Sequence, residues 1–144
     1  MGHHDIGAAL YGLATRATRR LPRDMSLTSA ATLATLDRTG PRRITDLAAV
    51  EGVTQPAMTT LVRVMEESGL VERRGNASDR RITLVCLTEA GAAYVRARRQ
   101  AGVDAFERLI GRLSTDEIDA LRAALPALDH LAELESQDRE GPKQ

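Results

Sequence analysis

Apolar positions recur at spacings of three and four between residues 5 and 21, where Ile6, Leu10, Leu13, Ala14, Ala17 and Leu21 fall on one face. That spacing predicts an amphipathic helix, and Pro22 ends it. Ser26 or Thr28 can cap a second helix, which runs to about Arg38 with Leu27, Ala31, Leu33, Ala34 and Leu36 inside it. Gly40-Pro41 makes a turn. Thr45 is the expected N-cap of a short third helix with Asp46 in its first turn, where the helix dipole favours an acid. This helix closes near Glu51-Gly52. Thr54 caps a fourth helix, which tolerates Pro56 in its first turn and extends to Ser68, with Gly69 as its stop. On that helix Ala57, Leu61, Val64, Met65 and Ser68 are expected to pack inward. Gln55, Pro56, Thr59, Thr60 and Arg63 lie toward the other side.

The period then changes. Leu70–Arg74 and the β-branched run Arg81–Leu87 flank a cluster of turn formers, Gly75-Asn76-Ala77-Ser78-Asp79, and read as a β-hairpin with an extended tip. Thr88 begins a long helix, expected over residues 88–112. It contains Gly91, Gly102 and Gly111, of which Gly102 is the choice for a close crossing or a bend. The last helix opens on a capping box, Ser114-x-x-Glu117. It carries Ile118, Leu121, Leu125, Leu128, Leu131 and Leu134 at helical spacing. Pro126 is expected to kink or break it, and the polar tail from Ser136 is expected to fray.

The resulting order is helix, helix, short helix, helix, hairpin, long helix, helix. It predicts a mainly α fold with a small β-wing, in which the short third helix, the Gly52-Val53 turn and the fourth helix form a helix-turn-helix. The second helix of such a unit fits a DNA major groove about 12 Å wide, and a wing reaches the adjacent minor groove, whose negative potential favours Arg.

Two segments carry a family resemblance. The stretch from Thr45-Asp46-Leu47-Ala48 through Val53-Thr54-Gln55-Pro56-Ala57-Met58-Thr59-Thr60-Leu61-Val62 to Met65-Glu66-Glu67-Ser68-Gly69-Leu70-Val71-Glu72-Arg73 resembles the helix-turn-helix of MarR-type transcriptional regulators. Asp79-Arg80-Arg81-Ile82-Thr83-Leu84-Val85, followed by Leu87-Thr88-Glu89-Ala90-Gly91, resembles their wing and the helix that follows.

The resemblance implies a homodimer on a pseudo-palindromic double-stranded DNA operator, acting as a repressor. Residues 1–25 and 100–144 then form a helical dimerisation region, and residues 26–99 the winged helix-turn-helix. Arg81 is implied to enter the minor groove while Asp79 holds its guanidinium. Arg80 is an added phosphate contact. On the fourth helix Arg63 can read guanine and Gln55 adenine, while Thr59 and Thr60 can touch a thymine methyl or a phosphate. Arg42 and Arg43 precede the third helix and can contact phosphate beside its N-terminus. Arg73 sits at the wing base, and Thr45, Thr54 and Pro56 complete the candidate set. A small phenolic or carboxylic effector is implied between the dimer helices and the DNA-binding module.

Charge changes this picture only locally. The 144 residues hold 20 basic and 20 acidic side chains, and only Lys143 among the bases is a lysine. Residues 1–36 carry a net +2, residues 37–99 a net +3, and residues 100–144 a net −5. The basic middle coincides with the helix-turn-helix and the hairpin. The alternative is that these charges decorate solvated faces, with the winged unit serving as a protein-interaction module that has lost specific DNA binding. One cysteine, Cys86, excludes an internal disulfide and reads as a buried, inert thiol. His3, His4 and His130 lack zinc spacing. Neither a nucleophile elbow nor a P-loop is present, so an enzyme and a cofactor are not expected. With no apolar run of about 18 residues and no secretory leader pattern, a cytoplasmic protein is expected.

Overall fold

Caps and glycines set where the helices begin and end in the computed structural model, which describes residues 2–141. Helix α1 (His3–Ala17) runs into a single 3-10 turn (Thr18–Arg20), so the first helix closes earlier than its apolar spacing predicts. Helix α2 (Leu27–Thr39) starts at Ser26, whose hydroxyl oxygen accepts from the Ser29 N–H at 3.1 Å. Helix α3 (Ile44–Glu51) ends at Gly52, held at φ +65°. Helix α4 (Gln55–Glu67) is capped by Thr54, whose hydroxyl oxygen accepts from the Ala57 N–H at 3.2 Å. Strands β1 (Val71–Gly75) and β2 (Thr83–Leu87) pair antiparallel, with Val71 opposite Leu87 and Gly75 opposite Thr83. Helices α5 (Glu89–Ile110) and α6 (Thr115–Glu140) follow. The architecture is mainly α with a two-stranded β-wing, as the sequence pattern predicts.

The core lies within α2, α3, α4 and the wing. Leu33 and Leu36, Leu47 and Ala48, Met58, Val62 and Met65, Val71 and Val85 form one buried cluster. Helices α1 and α6 contribute no buried residue. Instead α6 leaves Leu121, Leu125, Leu128, Leu131 and Leu134 exposed in a row, and α1 leaves Ile6, Tyr11 and Leu13. Contiguous apolar stripes of this kind mark association surfaces.

Thr88 and Gly91 fix how α5 leaves the wing. The Thr88 hydroxyl donates to the Gly69 carbonyl at 2.6 Å and accepts from the Gly91 N–H at 3.0 Å. A Cβ on Gly91 would stand 2.1 Å from the Leu70 carbonyl oxygen and 2.7 Å from Leu87 Cδ1. Only glycine admits so close an approach.

Several expectations are corrected. Thr45 does not cap α3: Arg43 occupies that position with extended backbone, and Thr45 lies inside the first turn. The cause is a β-bridge between Arg42 and Val85, with N···O distances of 3.1 and 2.7 Å, which holds the chain extended until Ile44. Strand β2 begins at Thr83 rather than Arg81, because the Ile82 N–H closes a turn on the Asp79 carbonyl. Pro126 does not break α6, and the tail from Ser136 is helical to Glu140. Proline leaves the carbonyl of Arg122, four residues earlier, without its helical donor; Arg122 is exposed, where water can serve.

Candidate nucleic-acid interface

The helix-turn-helix is set by local chemistry. Gly52 takes the left-handed conformation that ends α3, the Val53 N–H returns to the Ala48 carbonyl at 3.0 Å, and Thr54 restarts the chain as a cap. Met58, Val62 and Met65 then turn into the core, with Leu61 half-buried beside them. The predicted inward face is therefore rotated: Ala57, Val64 and Ser68 are exposed. The larger, more flexible methionine fills the core where Ala57 would leave it underpacked.

Gln55, Pro56, Thr59, Thr60 and Arg63 all stand in solvent, joined by Ala57. The Thr60 hydroxyl donates to the Pro56 carbonyl at 3.1 Å, which uses its proton and leaves its oxygen able to accept.

At the wing tip one carboxylate organises one cation. Arg81 donates from Nε and a terminal nitrogen to the two Asp79 oxygens at 3.1 and 3.0 Å, and its backbone N–H also donates to Asp79 at 3.0 Å. These bonds hold the Asp79 carboxyl below its usual range and raise the Arg81 guanidinium. Arg43, at the start of α3, adds a smaller electrostatic pull on Asp79, so the wing tip and the α3 N-terminus share one field. The Arg81 side chain is 89% exposed, a fork held by one edge and open at the other.

The remaining predicted residues divide. Arg43, Arg63 and Arg80 are exposed and make no ion pair among the described residues. Arg73 pairs with Glu66 of α4 at 3.7 Å, tying the wing base to that helix. Arg42 is engaged: Nε donates to Thr39 at 3.1 Å, and a terminal nitrogen faces Glu140 at 3.4 Å. Thr45 and Thr54 are exposed at the starts of α3 and α4.

The MarR family model matches residues 25–83. The HTH-type transcriptional regulator ML2140 of Mycobacterium leprae is 31% identical over 121 residues, covering 83% of this chain and 85% of that protein. The chain belongs to the MarR family. It is accordingly a transcriptional regulator of the winged-helix kind. The ligand-free structure of wild-type MarR from E. coli superposes with a TM-score of 0.68 at 26% identity, over 85% of this chain and 95% of that one. The transcriptional regulator Tm0710 of Thermotoga maritima shares the fold with a TM-score of 0.79 at 18% identity, over 90% of this chain and 95% of that one. These relatives are named as regulators, not as enzymes.

Sequence reasoning missed a cavity of about 750 Å³ between α2 and α5. Ala30, Ala31 and Ala34 line one wall, Tyr94, Val95 and Arg98 another. The Arg98 side chain is only 12% exposed, faces Asp24 at 3.5 Å and donates to the Pro22 carbonyl at 2.9 Å. The Tyr94 hydroxyl donates to Asp24 at 2.7 Å, and burial together with that carboxylate raises its pKa. The small alanines on α2 were the one signal for this space. Among the described residues no cluster of metal-ligating side chains occurs, and no helix is long and apolar enough to cross a membrane.

Proposed function

We propose that the protein is a cytoplasmic repressor that binds double-stranded DNA as a homodimer on a pseudo-palindromic operator. Residues 1–25 and 100–144 form the dimerisation region, and residues 26–99 the DNA-binding region. The α4 face of Gln55, Thr59, Thr60 and Arg63 enters the major groove, and Arg81 enters the minor groove. The observation that carries this reading is the Asp79–Arg81 chelate, which presents an ordered, exposed guanidinium on the wing. Pre-ordering such a side chain reduces the entropy lost on binding. The apolar rows on α1 and α6 support the dimer, and twofold symmetry spaces the half-sites by about 34–36 Å.

The α2–α5 cavity supports control by a small phenolic or carboxylic effector, since its lining is largely apolar while Arg38 and Arg99 stand on it without an ion pair among the described residues; Arg98 is already engaged by Asp24 and the Pro22 carbonyl. An effector acts there only by preferring an arrangement that DNA does not.

The test is binding to DNA flanking the protein's own gene, titrated over salt with a scrambled competitor. Competitor-resistant binding with a steep salt slope is expected. Binding equal to the scrambled control, at that DNA and at duplexes selected from a random pool, overturns the reading in favour of a protein-interaction module.

A further inference from the structure

The last turn of α6 reaches both ends of α3. Arg139 faces Glu51, the final residue of α3, at 3.7 Å. Glu140 faces Arg42, two residues before the first residue of α3, at 3.4 Å. The Glu51 side chain is only 4% exposed and also accepts from the Thr35 hydroxyl at 2.9 Å. Among the described residues, Arg139 is the one cation within ion-pair distance of it. A carboxylate withdrawn from water that far needs a compensating cation, and removing that partner leaves an uncompensated charge. Arg139 is itself steadied by Glu135, one turn earlier on α6.

We propose that this turn is a clamp in which Arg139 and Glu140 are positioning residues that hold α3, and through it the recognition helix α4, in register with α6. The link is mechanical. Helix α6 carries the exposed leucines, while α3 packs Leu47 and Ala48 against Met58 and Val62 of α4. Whatever covers the leucines acts on a helix whose far end grips the helix-turn-helix at two points. The inference rests on the DNA-binding reading for its consequence but not for its geometry.

The test uses the full chain and three variants: Arg139→Glu, Arg139→Lys and, should the first fail to fold, Arg139→Gln. In the free protein, amide exchange across Ile44–Glu51 is expected to speed up by about tenfold in Arg139→Glu, while the β1–β2 ladder keeps its rates. Arg139→Lys restores the charge and stays within about threefold of the native rate. On a duplex selected from a random pool by the native protein, Arg139→Glu is expected to bind about tenfold more weakly at an unchanged salt slope, because Arg139 holds Glu51 and not phosphate.

Unchanged exchange across α3 overturns the clamp. So does faster exchange with undiminished affinity, or a reduced slope, which would make Arg139 a phosphate contact. If the native protein selects no duplex, the DNA-binding reading falls and the exchange rates alone decide the clamp.

Discussion

Thr88 satisfies two backbone groups with one hydroxyl, and Gly91 lets α5 lie against the Leu70 carbonyl. The wing-to-helix motif is thus structural, whereas the Asp79–Arg81 part of the wing is exposed and chemical. Two glycines in one helix should then answer oppositely. Gly91→Ala is expected to cost about 2–3 kcal/mol or more through overpacking. Gly102→Ala, whose Cβ would meet only Leu21 Cδ2 at 3.5 Å, is expected to gain up to about 1 kcal/mol. Urea unfolding of the two variants checks this. At the wing, Arg81→Ala is expected to abolish tight DNA binding in a folded protein. Arg80→Ala should reduce the magnitude of the log–log salt slope by about 2, one phosphate per protomer. Because Arg81 holds Asp79 below its ordinary range, the chelate stays complete through that range and is lost only as pH falls below it. Asp79→Asn should therefore weaken binding by the same factor at every pH between about 5 and 8, as titrations at fixed salt would show.

At the scale of elements, α6 is where pattern and structure part. Proline and a polar tail predict an interrupted helix, yet it runs for 26 residues, about 39 Å. The Ser114–Glu117 capping box starts it, and contacts with α3 hold its end. Propensity is a weak prior that such tertiary contacts override. Pro126→Ala restores an N–H for the Arg122 carbonyl. It is expected to raise stability by roughly 1–3 kcal/mol, measured by chemical denaturation at fixed protein concentration. The rotation of α4 has the same origin: Met58, Val62 and Met65 share one face and together bury more apolar surface than a face that includes Ala57 and Ser68.

For the whole molecule, the separation of core from apolar stripe is decisive. The buried cluster belongs to α2, α3, α4 and the wing, while α1 and α6 keep their apolar faces in solvent. A second copy covering those faces accounts for both facts. Leu125→Glu combined with Leu131→Glu is expected to yield a folded monomer by sedimentation, with operator affinity reduced by at least about a hundredfold because one half-site must then suffice. A dimer that survives both charges would place the interface elsewhere.

The sequence by itself determined the element order, the helix-turn-helix with its Thr54 cap and Gly52 turn, the hairpin and the exposure of Gln55, Pro56, Thr59, Thr60 and Arg63 on α4. These follow from spacing, capping and turn chemistry, which act over a few residues. Family membership was legible for the same reason, since its motifs are local. Only the tertiary structure decided the rest. The Arg42–Val85 bridge moved the start of α3, and core competition rotated α4. The α2–α5 cavity opened between helices 50 residues and more apart in the chain. Arg42, a free phosphate contact by its position in the sequence, is turned toward a carboxylate 98 residues away. No periodicity records a pairing that distant, because it depends on where whole helices come to rest.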